Sequence, residues 1–228
     1  MIGFRTRNNN SVLVIDGTYK NLELISSGSV SLGTADPNNQ GMYADVAVPL
    51  GSTNVLLAIR SAAQGVYWKK LNASTFRIYA GGSTAVTVAY YLFADPVQSS
   101  NVGKVGLVIR NASNGQVLYK STRKYLRVLG MLSGTIVTDS TVTQQYAGKT
   151  VAIIQMLRAN LIRMETGGTG QQPIFVVTWK SATMHTPDAS TVRITHRTVA
   201  TNTGFGNPSP YVDAIQEYAY MIVDVSNI

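Results

Sequence analysis

What most limits the possible folds is a rhythm: short apolar runs of period two, separated by Gly, Asn, Ser and Pro, with no sustained i, i+3, i+4 apolar stripe between caps in the first half. Period two marks a strand with one buried face. Turn residues at such short spacing fold successive strands back on one another. The clearest instance is Val105–Ile136, which reads strand, turn, strand, turn, strand. An altered copy opens the chain at Ile2–Val30, with Asn8-Asn9-Asn10 in the place of a tight turn.

The same pattern predicts strands at Ser11–Asp16, Asn21–Leu32, Met42–Pro49, Asn54–Arg60, Gly65–Lys70, Thr75–Ala80 and Thr84–Ala94, with Gly33–Gly41 as a loop. In the second half it predicts Val105–Asn111, Gln116–Ser121, Tyr125–Val137, Thr150–Leu157, Pro173–Lys180, Thr191–Arg197 and Glu217–Val225. Val151–Glu165 is ambiguous, because Ile153, Met156, Leu157, Leu161 and Met164 would also line one face of a helix. Its strand neighbours favour two strands broken at Ala159-Asn160. Gly167–Gln172 and Ala200–Val212 read as long loops.

Short motifs recur in the same order in both halves. Gly3, Arg7 and Asn8 answer Gly106, Arg110 and Asn111, and Val12-Leu13 answers Val117-Leu118. Leu22-x-Leu24-Ile25 answers Leu126-x-Val128-Leu129, and Gly28-Ser29-Val30 answers Gly134-Thr135-Ile136. Val66–Lys69 answers Val177–Lys180, pairing Trp68 with Trp179; Thr75–Ile78 answers Thr191–Ile194, and Ala89–Leu92 answers Ala219–Ile222. One supersecondary plan used twice is the reading. The expected fold is all-β, as two tandem related β-sandwich domains, 1–96 and 105–228, joined by a linker at 97–104.

Charge and composition narrow the role. Charged residues are only 13% and neutral polar ones are plentiful, which suits β-proteins packed against neighbours in an assembly. The net charge of +8 attracts polyanions or acidic partners. With no cysteine, disulfides and thiolate metal sites are excluded. The start lacks the apolar segment of a signal peptide, and Ala85–Ala94 is far shorter than the roughly 20 residues of a membrane helix.

No catalytic constellation stands out. His185 and His196 have no HExxH or carboxylate at ligand spacing beside them. Gly167–Gly170 lacks the Lys-Ser/Thr of a phosphate loop, no GxSxG is present, and the acidic residues are scattered. The sequons Asn72-Ala73-Ser74 and Asn111-Ala112-Ser113 are read as coincidence. The expectation is no enzyme, no metal and no cofactor. Two stretches stand out as candidate partner surfaces. Lys120, Arg123, Lys124, Tyr125 and Arg127 form the densest basic run, with tyrosines that could stack on bases or sugars. Alternation puts Tyr125 and Arg127 on one face, which favours a solvated or protein-contacting strand over a nucleic-acid site. Phe205 and Tyr211 lie among Gly and Pro as anchors for a partner or glycan.

Gly106-Leu107-Val108-Ile109, Asn114-Gly115, Val117–Ser121 and Arg127–Gly130 resemble the opening of small tail-associated proteins of tailed bacteriophages. The resemblance implies a non-enzymatic virion protein of the tail, baseplate or fibre region, assembled in the host cytoplasm as a homo-oligomer with other virion proteins. It carries no catalytic residues over. The tandem copy departs from it, since such proteins usually carry the motif once. The alternative is a head decoration or glycan-binding adhesin module. Nucleic-acid binding through the basic run is a third reading.

Overall fold

In the computed structural model the described residues are 5–7, 13–16, 21–37, 41–81, 84–96, 106–110, 114–115, 117–135, 139–167, 173–206 and 209–228. Of 5–7, 13–16, Gly167 and Tyr211, only the backbone is described. The expected turn at Asn8–Asn10, the linker 97–104, the sequon Asn111–Ser113 and residues 168–170 lie outside this set.

The described residues are all-β, with no helix among them. The first half supplies β1 (Arg5–Arg7), β2 (Leu13–Asp16), β3 (Glu23–Leu32), β4 (Thr34–Ala35), β5 (Met42–Ala47), β6 (Leu56–Arg60), β7 (Val66–Asn72), β8 (Thr75–Ala80) and β9 (Val86–Ala94). The second supplies β10 (Val108–Arg110), β11 (Val117–Lys120), β12 (Val128–Thr135), β13 (Thr141–Gln145), β14 (Val151–Leu157) and β15 (Asn160–Gly167). It ends with β16 (Ile174–His185), β17 (Thr191–Phe205), β18 (Tyr211–Ile215) and β19 (Glu217–Asp224).

Val151–Glu165 is therefore two strands, interrupted at Arg158–Ala159. Its run of apolar residues is explained by a sheet buried on both faces: Ile153 enters one core cluster and its neighbour Ile154 the other. Two expectations need correction. Ala200–Val212 is not a long loop, because β17 keeps a partner along β16 from Arg193↔His185 to Phe205↔Ile174, and β18 follows. Within Gly33–Gly41, Thr34-Ala35 pairs with Tyr43 and Met42. β13 escaped detection because it is almost wholly polar; its only strand signal is the β-branched Thr141-Val142-Thr143.

Two small hairpins, β1-β2 and β10-β11, stand beside two large antiparallel sheets. The six-stranded sheet runs β12-β19-β14-β6-β9-β3. The nine-stranded sheet runs β13-β17-β16-β7-β8-β5-β4, with β15 and β18 added on β16. Leu57, Ile59, Leu92, Ile153, Tyr220 and Ile222 from the first sheet meet Val46, Phe76, Ile78, Val66, Met184 and Ile194 from the second in one core cluster. Each such side chain contributes about 1.5–3 kcal/mol by leaving water.

Both sheets take strands from both halves. They join at β6·β14, through Ala58↔Ile154 and Ile59↔Ile153, and at β7·β16, through Val66↔Met184. The parts of the chain before and after residues 97–104 thus contribute strands to the same two sheets rather than to separate ones. Outward from the junctions, the orders β6-β9-β3 and β14-β19-β12 correspond, as do β7-β8-β5 and β16-β17-β13. Even the irregularities correspond: the register shifts between Leu24 and Ser26 on β3, and between Val128 and Gly130 on β12. Pairing also refines two of the motif matches. Trp68 pairs with Ile78 as Met184 pairs with Ile194, so Met184, not Trp179, stands in the place of Trp68. Gly28 faces Tyr90, whereas Gly134 faces Tyr218, so these glycines are not equivalent.

The six-stranded sheet also curls back on itself. The segment entering edge strand β12 meets the opposite edge strand: Leu24 N–H donates to Lys124 O (2.8 Å), and Leu126 N–H to Leu22 O (2.9 Å), around a Glu23↔Tyr125 bridge. The concave face fills with a second cluster of Ala58, Phe93, Ala152, Ile154, Val223 and Val225, packed by Leu22, Leu24 and Leu126.

Candidate functional site

The basic run forms this seam. After β11 the chain turns, with Arg123 N–H donating to Lys120 O (3.0 Å), and then runs antiparallel to the start of β3. The Tyr125 hydroxyl accepts from the Lys120 N–H, and its ring stacks on Tyr119, with centroids 5.0 Å apart and planes 22° off parallel. Burial raises the Tyr125 pKa, so the phenol stays neutral at physiological pH.

Arg123 forms an ion pair with Glu23, both side chains mostly withdrawn from water. This contact clamps the second half onto the edge of the first. Arg127 stands 3.7 Å from Asp224, which also meets Lys149 at 3.3 Å. Burial works to raise Asp224, but hydrogen bonds from Ser226 N–H (2.9 Å) and Oγ (2.6 Å), with the two cations, outweigh it and hold the carboxyl below its usual range.

A cavity of about 310 Å³ opens at the seam, lined by Asn21, Tyr119, Arg123, Lys124, Tyr125 and Arg127, with Asn227 and Ile228 closing one side. Its size is at the lower end for small-ligand sites. A stacked tyrosine wall beside exposed Lys124 and Arg127 suits an acidic sugar, or an acidic side chain of a protein partner.

Of the seven residues picked out from sequence, four line this cavity. Lys120 supports Tyr125 through its backbone. Phe205 and Tyr211 belong to the other sheet, at Phe205↔Ile174 and Tyr211↔Met164, and Phe205 is 77% exposed. Sequence reasoning missed Asn21, Glu23 and Asp224 as members of the site, because closure of the sheet brings Asn21 and Glu23 to the basic run and the pairing of β12 with β19 brings Asp224. His185 Nε2 lies 3.0 Å from Ala62 O; buried His196 pairs in register with Ala182, so the two do not converge. Among the described residues no group of three His, Cys, Asp or Glu could hold a metal ion. No helix among them is long and apolar enough to cross a membrane.

The second notable surface is an arm. β17, β16, β15 and β18 run side by side past the end of the core, paired through residues 198–205, 174–181, 160–167 and 211–215. Ala182 and Met184 of β16 face the core, so by alternation Ile174, Val176 and Thr178 continue that same side. Neither core cluster takes a described residue from this stretch. Cross-strand register adds Phe205 and Val212 to that side, 77% and 62% exposed, together with Arg163 and Glu165, which form an exposed ion pair there. Compared with protein-family models, with curated proteins and with solved structures, the chain matches none.

Proposed function

We propose that this chain is a non-enzymatic structural protein of a tailed-bacteriophage particle, in the tail, baseplate or fibre region, serving as a packing and attachment module in a homo-oligomer. One observation carries the assembly part of the reading: the core-facing side of the nine-stranded sheet continues into the arm, where, among the described residues, no second layer covers Ile174, Phe205 and Val212. Exposed apolar side chains grouped on one sheet face, rimmed by polar groups such as the Arg163–Glu165 pair, mark a contact surface. Edge strand β18 adds a row of backbone groups available to a further strand. The phage part rests on the resemblance of Val105–Ile136, whose first two strands form the hairpin β10-β11.

The test is sedimentation of the purified chain, with mass spectrometry of purified particles. Oligomers that fall to monomers in Phe205→Glu or Val212→Glu, and recovery of the chain from virions, support the reading. A wild-type monomer absent from particles defeats it. A second reading, a receptor-binding module for a surface glycan, is favoured by the seam cavity, where Tyr119 and Tyr125 stack beside Lys124. Its check is an acidic-glycan array with Lys124→Glu and Tyr119→Ala. Nucleic-acid binding is weakened by the commitment of Arg123 to Glu23 and the closeness of Arg127 to Asp224.

A further inference from the structure

A second cleft opens where β16 changes partner. Along residues 174–181 β16 pairs with β15; at Met184 it pairs with β7 instead. The two partners diverge, and Ala182 N–H reaches back to Ala159 O (3.0 Å) to bridge the fork. Between them lies a cleft of about 150 Å³ on the outer side of the sheet, lined by Tyr67, Lys69, Arg158, Asn160, Trp179 and Ser181.

Its walls carry two cations. The Arg158 guanidinium leaves β14, enters the cleft and lies 4.4 Å from the centre of the Tyr67 ring. Lys69 comes from β7, with its ammonium 5.3 Å from the centre of the Tyr79 ring. Burial is the leading influence on both, and it holds each pKa below its usual value. For Lys69 the repulsion of Arg158 comes next, ahead of the opposing pull of buried Asp36. The polar groups acting on Arg158 are tyrosines: Tyr67, Tyr220 and Tyr79. Lys69 and Arg158 thus line one partly desolvated fork, with Asp36 the carboxylate that acts on Lys69. An anion between the two side chains would be drawn to both.

We propose that this fork is an oxyanion site, taking one phosphate- or sulfate-sized group between Arg158 and Lys69, with Tyr67, Asn160 and Ser181 as further hydrogen-bonding neighbours. The guanidinium offers paired N–H donors to a tetrahedral oxyanion, and the ammonium supplies a second charge. The volume is below that of drug-sized ligand sites, so the group bound is a single phosphate or sulfate, free or at the end of a longer molecule.

The probes are inorganic phosphate, sulfate and methyl phosphate, titrated calorimetrically into the purified chain, with chloride at matched ionic strength as reference. One saturable site per chain is expected, together with a rise in thermal midpoint that chloride does not give. Lys69→Gln and Arg158→Gln should each weaken binding at least ten-fold, and Arg158→Lys should weaken it less than Arg158→Gln. If Arg158→Gln does not fold, Lys69→Gln carries the test. Methyl phosphate binding as well as inorganic phosphate identifies the ligand as a phosphate on a larger molecule; binding of the inorganic ions alone identifies a free ion. No saturable binding by the wild type, or wild-type affinity in Lys69→Gln, overturns the proposal.

Discussion

Because both sheets cross from one half to the other, damage at the junction should unfold the whole core at once. Ile153 is fully buried, pairs with Ile59 of the first half and Ile222 of the second, and lies in the shared cluster. Replacing it by Ala removes about three methylene equivalents, roughly 2.4 kcal/mol of transfer free energy. The unrelaxed part of the void adds about 1 kcal/mol at ~24 cal/mol per Å³ for a residual volume of ~40 Å³. A total of about 3–4 kcal/mol should lower the thermal midpoint by roughly 6–15 °C in a chain of this size. The two tryptophans report the halves separately, Trp68 on β7 packed against the core and Trp179 on β16. In Trp179→Phe and Trp68→Phe backgrounds, Ile153→Ala should shift both fluorescence transitions equally, together with circular dichroism. If only the Trp179 signal moves, and the Trp68 transition keeps its midpoint, the halves are separate folding units and the argument from shared sheets is wrong.

Other consequences are local. Glu23→Gln removes the Glu23 charge that Arg123 meets at the seam and should cost about 2–3 kcal/mol in urea unfolding; Glu23→Gln/Arg123→Met should recover part of it, and a single variant as stable as wild type would show that the pair does not clamp the seam. Gly204 lies opposite Phe175, and an ideal Cβ there would stand 2.3 Å from the ring, so Gly204→Ala should speed amide exchange along residues 198–205 while leaving β19 protected. Burial lowers the His196 pKa, so the unfolded chain binds its proton first. Stability should therefore fall as pH drops below the unfolded value of about 6.5, down to the folded pKa, and His196→Phe should flatten that slope in denaturant titrations at pH 5–7.5.

The strand pattern was legible because period-two alternation is a local property: Val86–Ala94 and Thr75–Ala80 announce themselves through their own residues. β13 and β18 were not: β13 is almost wholly polar, and β18 is a five-residue edge strand whose apolar Val212 and Ile215 stay exposed rather than marking a buried face. The equivalence of the tryptophans misled for a related reason. Val66–Lys69 and Val177–Lys180 share residue types suited to any half-buried strand, while the pairing of Trp68 and Met184 with the isoleucines of Thr75–Ile78 and Thr191–Ile194 is a non-local fact. The basic run was visible as charge, but its setting was not. Its neighbours Asn21 and Glu23 arrive through closure of a sheet whose edges are about a hundred residues apart in sequence, and Asp224 through the pairing of β12 with β19.

The cationic fork lies where the halves differ. Matching strands account for the shared core: β6 with β14, β7 with the far end of β16, β8 with the near end of β17, β9 with β19. What has no counterpart in the described first half is residues 174–181 of β16 and 198–205 of β17, with β15 and β18 beside them. Those residues build the uncovered arm and, where they rejoin the common plan at Ser181–Met184, the cationic fork. A strand that overshoots its sheet must give up one neighbour and take another, so a gap at the change-over follows from the extension itself. In β7 the backbone beside that gap is completed by a side chain: the Gln155 amide accepts from Trp68 N–H (3.4 Å) and donates to Trp68 O (3.0 Å). Gln155 thus gives Trp68 the pair of backbone hydrogen bonds that a neighbouring strand would supply. Gln155→Leu should loosen β7 and weaken phosphate binding at the fork without touching Lys69 or Arg158, whereas an unchanged affinity would show that the fork is rigid without that support.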